Sequence, residues 1–539
     1  MSSYAMRDLG GGTAGGLLAA RANQAPDKAA LVFGGSETSY RQLDDAASAV
    51  ASSLLGLGLQ PGDAVSVFMS NRPECLIASF AIGRAGLRLV PVNTAYKGAF
   101  LDFAIDHSES RAIITESLLG GPLADLEGLP KCVAAVAYVD GRPDRLPFGD
   151  VAIHDWDELL TPSVLLTEFP PVGPDYISSI GYTSGTTGRS KGVLSPALQG
   201  VMHAAESAVA MGTTSQDRLY TCLPLFHGAA FAGTCLHAIY AGATACLSPR
   251  FTASGFWDEI RDTGATQFNA LGSIIPMLMA QPASDRDRDH AVRRVFAAPA
   301  PPDMLYRFEE RYGIHIVEGY GLTEVKNIMY NPLGRRKVGS MGTPTASSIV
   351  EIHDEGGRPV PAGQVGEIVY RPRVPDVMFK GYHRDPEATL ATMGDLWWHT
   401  GDLGATDEDG YFYFVDRKKD ALRRRGENIS SQEVEATIVS FPGVFDAAAI
   451  GARSDLGEQE VLAVLEVADP GSFDIEALFR HCDNALPHFM VPRYFRIAPA
   501  MSIARTPTGK IRKVELREEG VTEQTWDADA AGLKPTRNF

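Results

Sequence analysis

The sequence predicts an α/β protein with a large N-terminal domain of mostly parallel, helix-flanked sheets, a small β-barrel-like unit and a small α+β C-terminal domain. Short apolar runs alternate with amphipathic stretches through the first 330 residues, which is typical of parallel sheets covered by helices. Short strands with tight turns replace this pattern at 339–370. At 539 residues, the chain is too long for one ordinary domain.

The runs at 28–33, 64–69 and 112–115 have the apolar, β-branched composition of buried strands. Residues 40–57 predict a packing helix, because apolar side chains recur at helical spacing and Ser39 can cap its first turn. The sequence therefore alternates between strand and helix from its beginning.

Strands at 348–352 and 366–370 are separated by turn residues and predict the small antiparallel unit. A charged cluster at 416–420 precedes Ser430 and Glu433, which have the spacing of a capping box at a new helix start. We place the domains at 1–418 and 419–539. The polar segment after Thr522 has little apolar surface to bury and predicts a disordered tail.

Composition narrows the classes of function. With 49 Lys and Arg against 66 Asp and Glu, the net charge of -17 disfavours nucleic acid and anionic membranes as partners. The six cysteines form no CxxC pair, which predicts reduced thiols in a cytoplasmic protein. Residues 219–249 lack Asp, Glu, Lys and Arg, but Pro224 and repeated glycines favour a buried core segment over a membrane span.

The most informative segment is a loop rich in glycine and hydroxyl side chains at 182–192, which reads Tyr-Thr-Ser-Gly-Thr-Thr-Gly-Arg-Ser-Lys-Gly. Freed backbone N–H groups, several hydroxyls and Lys191 suit a polyphosphate. Its spacing is not that of a Walker A loop, since Gly192 follows the lysine. A strand-like segment precedes the loop and a helix-like one follows, so we expect a strand-to-helix loop.

Four further stretches follow in order, at 224–228 (Pro-Leu-Phe-His-Gly), 318–324 (Glu-Gly-Tyr-Gly-Leu-Thr-Glu), 397–402 (Trp-Trp-His-Thr-Gly-Asp) and 505–511 (Arg-Thr-Pro-Thr-Gly-Lys-Ile). With the loop, they resemble the adenylate-forming superfamily, which includes acyl-CoA synthetases, firefly luciferase and the adenylation domains of nonribosomal peptide synthetases. The resemblance runs from about residue 29 to residue 513. Ser190 stands where that family usually has proline.

The resemblance implies roles for individual side chains. Tyr320 would stack on adenine, Thr323 would bond the α-phosphate, and Asp402, assisted by Arg417, would accept both ribose hydroxyls. Glu324 with Thr186 would hold Mg²⁺. The implied nucleotide site comprises Thr183, Ser184, Gly185, Thr186, Thr187, Gly188, Lys191, Gly319, Tyr320, Gly321, Thr323, Asp402 and Arg417.

The implied catalytic residues are Lys510, His227, Thr186 and Glu324, with Lys510 reaching the site from the C-terminal domain during adenylation. That mobile domain would pivot at Lys419. Without the motifs around them, His227 would be interpreted as an ordinary core histidine and Lys510 as a solvated loop lysine. The motifs around these two residues favour a functional role.

After the pivot, Arg425, Gly426 and Glu427 would line the coenzyme A passage. Arg425 departs from the glycine pair common in that family. The basic cluster around these residues is either a solvated face or an attraction for the phosphates of coenzyme A.

The resemblance places the acyl pocket at His227, Gly272, Ala298, Gly319 and Leu322. The surrounding stretches, 227–231, 268–273, 298–300 and 319–322, are small and apolar, which predicts an uncharged aliphatic or aromatic monocarboxylate. Parts of the chain also look like carnitine or crotonobetaine ligases, but no carboxylate or aromatic cage for a quaternary amine is evident.

The sequence thus predicts an AMP-forming acyl-CoA synthetase that uses ATP, Mg²⁺ and coenzyme A. An alternative keeps the adenylation but passes the acyl group to an amine, a carrier-protein thiol or oxygen. A third class, a binding protein on an inactive adenylation fold, is disfavoured because Lys191, Glu324, Asp402, Arg417 and Lys510 are all present. A homodimer is left open.

Overall fold

The computed structural model describes residues 10–142, 149, 151–183, 190–271, 274–298, 302–417, 422–424, 427–429, 431–453, 459–499, 502–503, 511 and 513–536. Within these ranges, sixteen strands precede residue 345. They are β1 Ala29–Phe33, β2 Ser36–Ser39, β3 Ala64–Phe68, β4 Arg88–Pro91, β5 Ser110–Glu116, β6 Ala135–Val139, β7 Ala152–Asp155, β8 Ile177–Thr183, β9 Lys191–Pro196, β10 Arg218–Thr221, β11 Thr244–Leu247, β12 Gln267–Leu271, β13 Arg294–Ala298, β14 His315–Leu322, β15 Lys326–Tyr330 and β16 Thr343–Pro344.

These strands build two large sheets whose inner strands are mostly parallel. One has the order β16-β15-β14-β13-β12-β10-β11-β1-β2, and the other has the order β7-β6-β5-β3-β4-β8-β9. Antiparallel pairing is confined to the ends, at β1–β2, β14–β15, β15–β16 and β8–β9. The predicted α/β class is therefore confirmed.

Eleven further strands lie in the described part of the chain. They are β17 Ser348–His353, β18 Gly366–Pro372, β19 Met393–Gly394, β20 Trp397–Thr406, β21 Phe412–Arg417, β22 Leu422–Arg424, β23 Glu427–Ile429, β24 Val444–Arg453, β25 Gln459–Val467, β26 Tyr494–Pro499 and β27 Trp526–Asp527. Strands β17 to β21 form the predicted small antiparallel sheet, and β24 to β27 form the sheet of the C-terminal part.

Sixteen α-helices are described. They are α1 Ala14–Gln24, α2 Tyr40–Gly56, α3 Pro73–Arg84, α4 Gly98–His107, α5 Gly120–Ala124, α6 Trp156–Leu160, α7 Ala197–Met211, α8 Gly228–Ala230, α9 His237–Ala241, α10 Phe256–Thr263, α11 Ile274–Met279, α12 Pro302–Tyr312, α13 Pro386–Ala391, α14 Ser431–Val439, α15 Ile475–Ala485 and α16 Lys513–Glu519. A π-helical segment, Phe231–Leu236, connects α8 to α9.

Helix α2 shows how local sequence sets an element. The Ser39 hydroxyl accepts from the backbone N–H of Gln42, and the Gln42 side chain accepts from the N–H of Ser39, which completes a capping box. The apolar face of the helix, including Leu43, Val50 and Leu54, is buried. The predicted packing helix is confirmed.

The phosphate-loop segment corrects one prediction. We expected it to lead from a strand into a helix, but it joins β8 to the antiparallel strand β9, with Thr183 opposite Lys191. The segment 191–196 extends because its backbone pairs on both sides, with β8 and with the chain at Gly381, whose carbonyl accepts from Leu194 N at 3.0 Å. Helix α7 begins only after this strand.

The C-terminal segment corrects a second prediction. Residues 523–536 pack against the C-terminal sheet, since β27 pairs with β26 and Ala528 is buried. Arg493 forms a bidentate ion pair with Asp527, with distances of 3.0 and 2.9 Å. A polar composition therefore did not prevent packing, because its charges are paired with the sheet.

The uncharged segment 219–249 contributes β10, α8, α9 and β11 to the main core, where Tyr220, Ile239 and Cys246 are buried. A search of the described residues finds no helix that is both long enough and apolar enough to cross a membrane.

Candidate active site

One cleft of about 1180 Å³ gathers four of the five motifs. It lies where the two large sheets, the small antiparallel sheet and the C-terminal part meet. The described motif residues that line it are Tyr182, Thr183, Ser190, Lys191, Leu225, Phe226, His227, Gly228, Glu318, Gly319, Tyr320, Gly321, Leu322, Thr323, Glu324, Trp398, His399, Thr400, Gly401 and Asp402.

Tyr320 and Asp402, which we predict to bind the nucleotide, lie on β14 and β20. The Tyr320 hydroxyl donates to Oδ2 of Asp402 at 2.7 Å, and both residues are buried. The Asp402 N–H donates to the Thr400 hydroxyl at 3.0 Å, which fixes the turn that carries the carboxylate. Asp402 pairs with Arg417 across β20 and β21. The residues predicted to contact adenine and ribose are thus neighbours.

Tyr382, which carries no motif in the sequence, contacts two residues that we predict to bind Mg²⁺ and phosphate, Glu324 and Lys191. Its hydroxyl donates to Oε1 of Glu324 at 2.9 Å, and the Lys191 ammonium lies 4.6 Å from the centre of its ring. Burial, followed by the nearby Glu324 charge, raises the pKa of Tyr382, so its hydroxyl keeps the proton that it donates. No motif marks this tyrosine in the sequence.

The backbone around Glu324 is held from two directions. Its carbonyl oxygen accepts from Gln199 Nε2 at 2.6 Å and from the N–H of Phe379 at 2.8 Å. The neighbouring Thr323 methyl lies 3.6 Å from the position that a β-carbon on Gly181 would occupy. These contacts place the third motif against the strand that enters the phosphate loop.

The two glycines of the third motif allow close strand approach. A β-carbon at Gly319 would lie 2.8 Å from the Met329 carbonyl oxygen, and one at Gly321 would overlap the carbonyl oxygen of Lys326. The β14–β15 hairpin therefore has no room for a side chain at either position.

His227 caps the short helix α8. Its Nδ1 accepts from the N–H of Ala229 at 3.2 Å, which fixes the ring orientation at the cleft wall. This arrangement differs from that of His237, a core histidine whose burial lowers its pKa to about 4.

The cleft around the predicted acyl-pocket residues is more polar than we predicted. Gly319 and Leu322 line the cleft as expected, whereas Gly272 lies outside the described residues and only the backbone of Ala298 is described. Helix α7 adds a polar stripe at four-residue spacing, Gln199, His203 and Ser207, and Lys326 adds a cation. We missed this stripe because it lies outside the stretches taken from the family resemblance.

The C-terminal part closes the cleft from the other side. Glu427 on β23, Phe489 and Met490 line it. The Ser190 hydroxyl donates to Oε1 of Glu433 at 3.4 Å, so the serine that replaces the family's proline contacts α14. Burial raises the pKa of Glu433 to about 7, an effect that the hydrogen bonds from Ser190 oppose.

Several predicted residues lie outside the described part of the chain: Ser184, Gly185, Thr186, Thr187, Gly188, Gly272, Lys419, Arg425, Gly426, Ser430 and Lys510. The side chain of Arg417 is likewise not described.

The described residues fit a magnesium nucleotide. Asp402 offers a buried acceptor to a sugar diol, and Glu324 offers a carboxylate that contacts Tyr382, as Lys191 does. The described residues contain no group of three or more potential metal ligands among His, Cys, Asp and Glu. Mg²⁺ bound with a nucleotide takes most of its ligands from phosphates and water, so one or two protein carboxylates suffice.

Comparison with known proteins agrees with this site. Residues 18–383 match the AMP-binding enzyme family, and residues 433–510 match the AMP-binding enzyme C-terminal domain. The chain is 30% identical over 500 residues to a crotonobetaine/carnitine–CoA ligase of Salmonella paratyphi B, covering 91% of this chain and 96% of the relative.

Solved structures share the whole architecture. A doubly substituted o-succinylbenzoate CoA synthetase from Bacillus subtilis, bound to its product analogue, has a TM-score of 0.80 at 25% identity, covering 94% of this chain and 98% of that chain. The same enzyme in complex with AMP has a TM-score of 0.65 at 25% identity, covering 93% and 97%.

The amide bond synthetase McbA from Marinactinospora thermotolerans has a TM-score of 0.79 at 25% identity, covering 93% of this chain and 99% of that chain. The matches to the Salmonella ligase, to the two structures of the Bacillus enzyme and to McbA each span nearly the whole of both proteins. Because the family match alone covers more than half of the chain and includes three of the four motifs of the cleft, the protein belongs to the AMP-binding enzyme family.

Proposed function

We propose that the protein is an ATP-dependent acid–thiol ligase that converts a carboxylic acid to acyl-AMP and then to acyl-CoA. The observation that carries this proposal is the placement of the Tyr320–Asp402 pair and the Lys191–Tyr382–Glu324 group on one cleft. The names of similar proteins, a carnitine–CoA ligase and a succinylbenzoate CoA synthetase, support coenzyme A as the acceptor.

In the first step, a carboxylate oxygen of the acid attacks the α-phosphorus of ATP. A new P–O bond forms, the bond to the β-phosphate oxygen breaks, and pyrophosphate leaves with the electron pair. Asp402 and Tyr320 would hold the nucleoside, and Lys191 would offset charge on the phosphates. Mg²⁺, held by Glu324 and by Thr186, would supply further charge neutralisation when bound.

In the second step, the thiolate of coenzyme A attacks the acyl carbonyl carbon, and AMP leaves with the electron pair of the broken C–O bond. A carboxylate alone is a poor acyl donor, because its leaving group would be oxide. Neither step requires a covalent enzyme nucleophile, since positioning and electrostatics dominate this chemistry. His227 and Glu427 both line the cleft. His227 would act between the acid and the nucleotide, and Glu427 would line the passage for the thiol.

We further propose domains at 1–418 and 419–539, with a pivot at Lys419 that exchanges Lys510 for the face of Arg425, Gly426 and Glu427. The two structures of the Bacillus enzyme support such a motion, because this chain scores 0.80 against one and 0.65 against the other at equal identity. A different arrangement of the two parts in the two structures would account for this difference.

A second acceptor has a specific observation in its favour. The amide bond synthetase McbA superposes on this chain as well as the product-bound CoA synthetase does, with TM-scores of 0.79 and 0.80. Transfer to an amine would use the same adenylation step and a different second nucleophile. Product identification, with coenzyme A and amines offered together, separates the two.

Cytoplasmic location and a homodimer remain predictions. All six cysteines lie in the described part of the chain as free thiols, five of them buried, which suits a reducing compartment. Fractionation of cells tests the first, and light scattering of the purified protein tests the second.

The function is tested by measuring pyrophosphate release from ATP and Mg²⁺ across a panel of carboxylic acids, with products identified by mass. Acid-dependent release together with an acyl-CoA mass is the expected result. Release that ends in an amide when amines are present would favour the second acceptor. ATP turnover to ADP and phosphate would contradict the proposal.

A further inference from the structure

The acyl side of the cleft contains a cation in an unusual position. Lys326 lines the cleft, and its ammonium lies 4.0 Å from the point where a β-carbon on Gly228 would stand, beside the His227 turn. Its one hydrogen bond within the described residues is to the Thr323 carbonyl oxygen, at 3.2 Å. An ammonium has three N–H donors, so this contact leaves donors to offer to a ligand.

Two features of Lys326 are energetically unfavourable for the folded protein. Its backbone φ is +59°, in the left-handed region where glycine is favoured. Its charged side chain is also only partly exposed on the cleft wall, so the ammonium loses part of its hydration. A glycine would relieve both costs, and such uncompensated strain is concentrated at functional sites.

The cleft surface around Lys326 is polar, and one of its nitrogen atoms has no hydrogen-bond partner among the described residues. His203 is buried on α7, lines the cleft, and has no hydrogen-bond partner at Nδ1 among the described residues. Burial, with the Lys326 charge as the next cause, lowers the pKa of His203 to about 3, so its ring is neutral. Tyr330 adds a hydroxyl held by Ser207 at 2.7 Å and by Asn327 at 3.0 Å.

We propose that Lys326 is a specificity-determining residue and that the acid substrate carries, besides the reacting carboxylate, a second oxygen acceptor that Lys326 binds. This inference rests on the proposed ligase function and narrows its substrate class. A second carboxylate, a keto group or a hydroxyl supplies the required acceptor. A quaternary ammonium such as that of carnitine is repelled, so the acid differs from that named for the Salmonella relative.

Isosteric pairs of acids test this selection on the unaltered protein. Succinate and 4-methylpentanoate differ only in that the first has a carboxylate where the second has an isopropyl group. Glutarate and 5-methylhexanoate form the same pair with one more methylene. In 4-oxopentanoate, a neutral keto group supplies the acceptor. With pyrophosphate release as the readout, we expect kcat/KM to favour the oxygen-bearing member of at least one pair by about tenfold or more. Preference for the alkyl member in every pair, or for carnitine, would overturn the inference and leave the ligase function intact.

Substitutions of Lys326 test whether this lysine causes the preference for the oxygen-bearing acid. Lys326→Met should reduce kcat/KM for the oxygen-bearing acid by about tenfold or more and spare the alkyl partner. Lys326→Gly should lose the same selection while raising the Tm, because it relieves the positive φ. The exposed Lys131→Met is the matched control and should change neither acid. Equal loss with both members of a pair would assign Lys326 to the reaction centre and contradict the specificity role.

Calorimetric binding of the same acids without ATP separates this inference from the proposed function. Binding of the oxygen-bearing acid that is weakened in Lys326→Met would support the pocket assignment even if pyrophosphate were never released. Equal binding of both members of each pair would refute it.

Discussion

The Tyr320 hydroxyl donates a 2.7 Å hydrogen bond to Asp402, although the two residues lie 82 positions apart on different sheets. Strand β14 belongs to the nine-stranded sheet and β20 to the small antiparallel sheet. This bond joins the residue proposed to stack on adenine to the residue proposed to bind the ribose. Loss of either partner should therefore affect ATP binding.

For this pair, Asp402→Ala should lower kcat/KM for ATP by about a hundredfold, because the acceptor for two ribose hydroxyls disappears. Tyr320→Phe should cost about tenfold, in line with one hydrogen bond to a charged group. Steady-state kinetics with varied ATP measures both. The exposed Tyr306→Phe is the control. Unchanged ATP kinetics in Asp402→Ala would remove this residue from the site.

Tyr382 contacts both Glu324 and Lys191. Its hydrogen bond to Glu324 and its ring contact with Lys191 can be tested separately. Tyr382→Phe keeps the ring under Lys191 but removes the 2.9 Å bond to Glu324, and we expect a several-fold increase in the Mg²⁺ concentration needed for half-maximal rate. Tyr382→Leu should have the larger effect, because it also removes the cation–π contact. If the two variants have the same effect, the ring contact contributes nothing.

Lys510→Ala should abolish acyl-AMP formation and spare thioester formation from supplied acyl-AMP. The reason is that only one orientation of the C-terminal domain is expected to bring this lysine to the phosphates. Single-turnover assays measure each half-reaction separately. Equal loss of both would argue against the two-orientation mechanism.

The Glu433 contact predicts a pH-dependent stability. Burial raises the folded-state pKa of this carboxyl to about 7, from about 4.3 in an unfolded chain. The protonated form is therefore favoured in the folded protein, and its stabilising contribution is full below pH 4.3 and lost as pH rises to 7. Relative to Glu433→Gln, the Tm of the unaltered protein should fall by a few degrees between pH 5 and pH 8. A constant difference in Tm would show that Glu433 does not titrate in this range.

Gly321 has no space for a side chain at the β14–β15 hairpin. Gly321→Ala should destabilise the protein by about 1–3 kcal/mol, because the added methyl meets backbone of the facing strand. Urea unfolding measures the change. Gly121→Ala is the control, since a β-carbon there meets nothing within 4 Å. Equal stability of the two variants would contradict the close approach of the strands.

The sequence predicted the fold class, the small antiparallel sheet and helix α2, because local spacing and capping determine them. It failed at 191–196, where we expected the loop to lead into a helix, but the chain pairs with β8 and with Gly381. It also failed after Thr522, where Arg493 pairs with Asp527 across the sheet. Both failures involve partners distant in the chain, which no local pattern reveals.

The same reason limits the site prediction. Tyr320, Glu324 and Asp402 stand in recognisable motifs, and the structure brings them to one cleft. Tyr382 and His203 carry no motif, since their importance arises from contacts made only in the folded chain. The sequence shows that a lysine stands two residues after Glu324. It does not reveal the positive φ of Lys326 or its burial, which exist only in the folded chain.

The central claim is that a carboxylate oxygen of the acid attacks the α-phosphorus of ATP. The most direct measurement uses an acid substrate labelled with oxygen-18 in both carboxylate oxygens, followed by mass analysis of AMP and pyrophosphate after turnover with coenzyme A. The proposed mechanism predicts one labelled oxygen in AMP and none in pyrophosphate. Label in pyrophosphate or inorganic phosphate, or AMP without label, would contradict it.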